Sequence, residues 1–419
     1  MRSGIMLALV CLVTPVTYAV ETPDTGPITL DQVIVRVLER NPQFGINDYE
    51  AQAAAAKIRR AQQTSPLEFK LALENFAGSG SFKSADRLES TLSLAKILEP
   101  GNKVTSRSDI ARQQATLLRN SHDSHRLDLL AKAAEQFIHV VVDQHRLEIA
   151  ENHLSLVKNT FEVVSQRVTA GRSHVAEQRR LAIAVARAEV ELEHAEHKLS
   201  TSRLKLATNW GETQPGFTRA RARLFDLPPV AAFRQLEALL TNNPDLVRFA
   251  TEERLAQARL RLAQTRRTPS LQLSGGVRYF SDPNDAALVL SASLPFGSRS
   301  RARPEIEEMQ YLSQREPLRH EQQRLALYSN LYELYQELLH ARTAFDALNR
   351  HIIPEAEQAS DDYEQGYRRG RFSLLELNEA QRTLLDARLE AVMTAANYHR
   401  LKIELERLTG IALQAGEPQ

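Results

Sequence analysis

The sequence predicts a mainly α-helical chain made of two tandem copies of one unit, with four short β-segments set between long helices. Three observations predict it. Segments of the first half reappear in the same order in the second half, the mark of an internal structural repeat. Apolar residues recur every seven positions along the longest stretches. Four segments of about ten residues alternate apolar with polar or small side chains, as strands with two unlike faces do.

Taken in order, the chain opens on Arg2, an apolar run from Ile5 to Val16 and the small residue Ala19. That pattern is a secretory signal peptide over residues 1–19. The single cysteine, Cys11, lies inside it, and Val10 is not the small residue that should precede a lipidated cysteine. Cleavage after Ala19 leaves no thiol for a disulfide framework or a cysteine metal site. The first repeat, residues 20–211, begins with Ile28-Thr-Leu-Asp-Gln-Val-Ile34 and then Asn41-Pro42. The second, residues 231–410, begins with Phe233-Arg-Gln-Leu-Glu-Ala-Leu239 and then Asn243-Pro244. Each Asn-Pro opens a helix rich in alanine, glutamine and arginine, ending at Pro66 in one copy and Pro269 in the other. The copies close on Asn209-Trp-Gly211 and Leu408-Thr-Gly410. Residues 212–230 carry proline and glycine without a period, a linker expected to lie across the outside of the helices, and 411–419 form a tail.

The strands are expected at about 67–77, 88–98, 270–280 and 286–296, each the length of a tilted strand crossing an outer membrane. Leu67, Phe69, Leu71 and Leu73 alternate with Glu68, Lys70 and Glu74 in the first of them. Two soluble hairpins packed on helices would show the same alternation. Four strands cannot close a membrane barrel, because the smallest have about eight, so a membrane reading needs several chains sharing one barrel.

Each copy then has two long helical stretches separated by a Gly-Arg. Val140, Leu147, Leu154, Phe161 and Val168 form a heptad stripe, with Ala150, Val157 and Val164 beside it. The second copy has Leu331, Leu338, Phe345 and Ile352, then Leu377, Leu384, Ala391, Tyr398 and Leu405. Such stripes argue for coiled-coil packing. A helix from Lys103 to Ala170 would be roughly 100 Å long at 1.5 Å per residue. The helix before the strands and the one after the Gly-Arg are each about half that length. Stacked end to end, they match the long one and make a rod two helices wide that needs neighbours to bury its seams.

Several classes are excluded. No later segment is apolar enough to cross a bilayer as a helix. Lys plus Arg number 53 against 52 for Asp plus Glu, which gives no electrostatic case for nucleic acid. Neither a phosphate-binding glycine loop nor a Gly-x-Ser-x-Gly elbow is present, so an ATPase or hydrolase reading has no residues to stand on, and an enzyme is disfavoured. His122/His125 and His194/His197 are spaced as helical neighbours, but two imidazoles alone make no strong metal site. His320-Glu321-Gln-Gln-Arg324 lacks the second histidine of the zinc-protease motif. No cofactor and no resident metal are expected.

The paired Asn-Pro starts, the two strand pairs, the two Gly-Arg breaks and the closing glycines together resemble the TolC family of trimeric outer-membrane efflux proteins, from Ile28 to Gly410. Within it, Glu74-Asn75-Phe76-Ala-Gly78 and Leu92-Ser-Leu94-Ala-Lys96-Ile-Leu98-Glu99-Pro-Gly101-Asn-Lys103 resemble the heavy-metal, cobalt–zinc–cadmium resistance branch. That branch usually closes the second motif with Gly-Gly-Lys-Arg, where this chain has Gly101-Asn102-Lys103-Val104. The resemblance implies a mainly α membrane protein: a homotrimer with a periplasmic α-barrel and a shared 12-stranded transmembrane β-barrel in outer-membrane lipid. It implies a passive conduit working with a periplasmic adaptor (a membrane fusion protein) and an inner-membrane RND-type pump, and exporting heavy-metal cations. A TolC-like channel for drugs or secreted polypeptides, and a soluble periplasmic coiled-coil scaffold or adaptor, are the alternatives.

Read alone, the Gly-Arg breaks are flexible helix–helix turns. The resemblance makes them adaptor-docking tips: Gly171, Arg172 and Ser173 in one copy, Gly370, Arg371, Phe372 and Ser373 in the other. Glu376 and Glu379 share a helix face and read alone as a solvated pair. By resemblance they line the tunnel entrance, and Tyr367 with Glu177 matches the latch that holds it closed. The family archetype has an arginine two residues after the second tip glycine, where this chain has Phe372. The sequence leaves open whether Arg368, Arg369 or Arg371 takes its place.

Overall fold

The computed structural model describes residues 26–410. The signal-peptide segment and the tail from 411 lie outside the described residues. The first copy runs α1 (Leu30–Arg40), α2 (Pro42–Gln62), β1 (Leu67–Glu74), β2 (Glu89–Leu98), α3 (Lys103–Thr169) and α4 (Val175–Ala207). The second runs α5 (Phe233–Leu239), α6 (Pro244–Thr265), β3 (Leu271–Phe280), β4 (Asp285–Ser293), α7 (Ser298–Ala347), α8 (Ile353–Arg368) and α9 (Leu374–Thr409). The repeat is therefore structural as well as sequential.

The Asn-Pro pairs make the joints on which each rod depends. Asn41 caps α2 by accepting from the Gln43 N–H, while its Nδ2 donates to the Asn209 carbonyl at 2.7 Å. Asn243 does the same for α6, accepting from Asp245 N–H and donating to the Leu408 carbonyl at 2.7 Å. Proline at the first helical position loses nothing there, since that N–H would be unpaired anyway. One side chain thus ties the start of one helix to the end of another, so α2 and α4 both pack along α3. In the second copy α6 and α9 pack along α7 in the same way.

The long arms of the two copies differ. α3 is continuous over 67 residues. Its counterpart breaks into a π-helical turn at Leu348–Ile352, just before Pro354. Proline has no N–H to give and its ring crowds the carbonyl four residues back, so the helix widens by one residue. That residue shifts the apolar phase. Leu338 and Phe345 are buried as the heptad predicts, but Ile352 is 46% exposed, and Ile353 packs on the core in its place. The expectation that Ile352 continues the stripe is corrected by this widening. The α9 stripe of Leu377, Leu384, Ala391, Tyr398 and Leu405 is buried throughout.

The largest core lies at mid-height, where Phe137, Val140, Leu206, Trp210, Phe345 and Ala395 meet. Phe217, Ala220 and Leu224 of the linker are buried in it. Ala220 pairs with Ile28 as a parallel bridge, and its backbone N–H and carbonyl both bond to the Gln144 side chain. The linker lies on the helices through these three anchors, while residues between them, such as Arg221, Arg223 and Asp226, stay exposed.

The four strands form one antiparallel sheet in the order β1-β2-β3-β4. The ends differ from the sequence reading by a few residues. β1 stops at Glu74 because Asn75 and Ala77 turn with positive φ, and β4 stops at Ser293, two residues before Pro295. The register aligns Leu71, Leu92, Val277 and Leu288 in one row and Phe69, Leu94, Gly275 and Leu290 in the next. Gly275 apart, these side chains are exposed, from 47% at Leu92 to 86% at Leu290. The opposite face carries Lys70, Glu74, Ser93, Thr91, Arg278 and Ser291. There Arg278 bonds to Thr91, Glu89 and Glu74, tying three strands together.

Candidate functional site

The helix ends farthest from the sheet carry the residues singled out in the sequence. Both arms finish on a glycine in the left-handed region, φ 68° at Gly171 and 73° at Gly370. The following N–H folds back to a helix carbonyl: Arg172 to Arg167, and Arg371 to Gly366, both at 2.8 Å. This Schellman ending satisfies carbonyls that the helix leaves open. The return helices restart at once. His174 caps α4, its Nδ1 accepting from the Ala176 N–H at 3.0 Å. Ser373 caps α9 in a capping box with Glu376.

The structure brings Tyr367 and Glu177 together across the two hairpins. The phenol donates to the Glu177 carboxylate at 3.3 Å. Tyr367 is 3% exposed, in a small core with Val164, Leu181, Leu374 and Leu377. Burial pushes its pKa up, and so does the Glu177 charge, which keeps the phenol protonated and able to donate.

Glu376 and Glu379 are both exposed on the first turns of α9. The Glu376 carboxylate accepts from the Ser373 N–H and hydroxyl, both at 2.8 Å, and these bonds lower its pKa. It is a charged cap as well as a surface acid. Glu379 has no ion pair among the described residues.

Phe372 does not reach toward the other hairpin. Its ring lies 4.6 Å from that of Tyr363 and covers Gly366, where an added Cβ would come within 2.2 Å of it. Gly171, Arg172, Gly370 and Arg371 are exposed at the extreme end, and Ser173 is half-buried. Arg368 pairs with Glu364 on its own helix at 2.5 Å.

Three arginines that the sequence reading passed over organise the chain. Arg167, four residues before Gly171, sits at the meeting point of the hairpins. Arg278 crosslinks the polar face of the sheet. Arg107 holds Glu99 through two hydrogen bonds, of 2.5 and 2.9 Å, where β2 turns into α3. The motif around Glu99 and Gly101 is thus the strand-to-helix corner.

The histidine pairs stay separate from any larger cluster. His122 meets Glu50 and His197 meets Glu193, each at 2.8 Å. Among the described residues no group of three or more His, Cys, Asp and Glu side chains stands ready to hold a metal ion. No helix among them is long and apolar enough to cross a membrane.

The described residues thus form a two-hairpin helical body attached to a small antiparallel sheet with one exposed apolar face. The family model described as "Outer membrane efflux protein" matches residues 236–411. The cobalt-zinc-cadmium resistance protein CzcC of Cupriavidus metallidurans is 24% identical over 385 residues, covering 92% of this chain and 90% of that protein. The solved structure of CusC, described for its transmembrane channel formation, superposes with a TM-score of 0.76 at 15% identity, covering 94% of this chain and 95% of that one. VceC of Vibrio cholerae gives 0.74 at 15% identity, covering 91% and 96%. The outer-membrane channel OprN gives 0.75 at 16% identity, covering 91% and 89%. Over residues 236–411 the chain matches the outer-membrane efflux proteins, and along most of its length it is similar to CzcC and shares the fold of the solved channels. Those matches are efflux, resistance and channel proteins.

Proposed function

We propose that three copies of this chain close into one passive conduit, with the sheets joined in the outer membrane and the helices forming a periplasmic tunnel. The observation that carries the reading is a set of surfaces the single chain leaves bare. The sheet has two unpaired edges, β1 and β4, and one exposed apolar face. Tyr311, Leu318, Leu325, Tyr332 and Leu339 make an exposed heptad stripe along α7. Ile183, Val190 and Leu204 make another on α4. Bare edges invite strand pairing, and heptad stripes invite helices. Copies of the chain supply both, and lipid covers the apolar face of the sheet.

The exposed tips with Arg172 and Arg371 are where an adaptor docks, and an inner-membrane RND-type pump supplies the energy. Glu376 and Glu379, repeated by symmetry, concentrate negative charge at the entrance and favour cations there. Together with the similarity to CzcC, this supports heavy-metal cations as the cargo. Tyr367 and Glu177 hold the entrance closed.

Two measurements test this. In cells carrying the pump and adaptor, deletion of the channel should lower tolerance to cobalt, zinc and cadmium more than to drugs; the reverse pattern moves the cargo to drugs. In planar bilayers the double variant Tyr367→Phe, Glu177→Gln should conduct more than the wild type. Equal conductance removes the latch.

A further inference from the structure

The guanidinium of Arg167 leaves its own helix and reaches the other hairpin. Nη1 donates to the carbonyls of Tyr367 at 3.1 Å and Arg368 at 3.2 Å in the last turn of α8, where the Tyr367 carbonyl also accepts from the Gly370 N–H at 2.9 Å. Nε donates to the Ser173 hydroxyl at 3.1 Å. The same group lies over the Tyr367 ring, 4.9 Å from its centre. A cation at a helix C-terminus is favoured by the helix dipole, and its face contact with a phenol adds to that.

The repeat sharpens the point. In both copies the residue four before the tip glycine touches the residue two after it. In the first copy these are Arg167 and Ser173, joined by a hydrogen bond. In the second they are Gly366 and Phe372, where an aromatic ring fills the space a side chain would take. The second tip is closed on itself by apolar packing and offers no polar group at these positions. The first tip carries the cation, held by Ser173 and aimed across the gap.

We propose that Arg167 is a positioning residue of the closed tip, clamping the last-turn carbonyls of α8 to the end of α3 within one protomer, alongside the Tyr367–Glu177 contact. The inference rests on the gate reading above only for its effect on conductance. The clamp itself is a property of the hairpin pair. Only a planar fork satisfies two carbonyls and a hydroxyl while lying flat on a ring, so lysine is a poor substitute.

The experiment uses the full-length protein in detergent and in planar bilayers, with Arg167→Ala, Arg167→Lys and each of these in the Tyr367→Phe background. Hydrogen exchange of the 363–374 segment reports the clamp without reference to gating. Arg167→Ala should speed it by about tenfold, the scale of losing charged hydrogen bonds to a helix end. Arg167→Lys should fall between alanine and the wild type. Exchange unchanged in Arg167→Ala overturns the proposal. In bilayers, Arg167→Ala should raise conductance further when Tyr367→Phe is already present; no added effect in the double variant overturns a contribution of Arg167 to closure beyond the Tyr367–Glu177 contact. Faster exchange with unchanged conductance in every variant keeps the clamp and removes the gate reading instead.

Discussion

Asn243 offers a test of the joints that turn short helices into long rods. Its side chain is 2% exposed and does two things at once: it caps α6 and donates to the Leu408 carbonyl at 2.7 Å. Asn243→Ala removes a cap of about 1 kcal/mol and a hydrogen bond of about 1 kcal/mol. It also strands the carbonyl of Leu408, a residue 2% exposed, for a further ~1–2 kcal/mol. The cost is therefore about 3 kcal/mol. Asn41→Ala removes the same contacts at a half-buried site, where water can replace the donor, and costs about 2 kcal/mol. Asn243→Asp keeps the capping oxygen, loses the donor and sets a carboxylate against a carbonyl. Thermal unfolding in detergent, followed by circular dichroism at one protein concentration, should rank wild type above Asn41→Ala and Asn41→Ala above Asn243→Ala. Asn243→Asp should lie well below the wild type. Equal midpoints for the two alanine variants, or a wild-type midpoint for Asn243→Asp, would refute the two-way role of the side chain.

Two further predictions concern the sheet and acid stability. At Gly276 an added Cβ would lie 2.2 Å from the Leu92 carbonyl oxygen and 2.8 Å from the Ser93 Cα, backbone that cannot step aside. Gly276→Ala should cost about 1–3 kcal/mol and reduce the folded protein recovered from outer membranes. Gly275→Ala meets only the end of Leu290 at 3.3 Å and should be recovered as the wild type is, and equal losses in both would defeat the argument. The half-buried His399 donates to the Leu224 carbonyl at 2.8 Å, and loss of water around the ring lowers its pKa. A folded pKa below the unfolded one contributes stability above the ordinary imidazole range, and that stability is lost as pH falls through the lowered value. Between about pH 7.5 and about pH 5 the wild type should lose more stability than His399→Gln, which does not titrate. Parallel losses would assign acid sensitivity to other groups.

The elements with a strong local signal were legible. The Asn-Pro starts, the α9 stripe and the alternation in β1 each follow from spacing alone. The pairing of Tyr367 with Glu177 was legible only through family resemblance, because the residues are 190 positions apart. Arg167 was hidden because an arginine on a helix reads as surface charge. A signal existed in the mismatch of the copies, arginine in one where the other has Gly366, and comparing the repeats position by position would have exposed it. The phase change at Ile352 was missed because a heptad count assumes uniform winding, while Pro354 forces one turn to widen. Phe372 raised the question of where the missing cation went. The geometry sets a cation at the same junction from the opposite hairpin.

The wide turn before Pro354 stores one residue of slack in an arm whose twin has none. If that turn tightened to ordinary winding, the part of the helix nearer the tip would advance by about 1.5 Å and rotate by about 100°. Tyr367 and Gly370 lie on that part. The second arm is built like a screw with one loose thread, and the first like a fixed post beside it. A push at mid-height can thus reach the tips as a twist of one hairpin against the other.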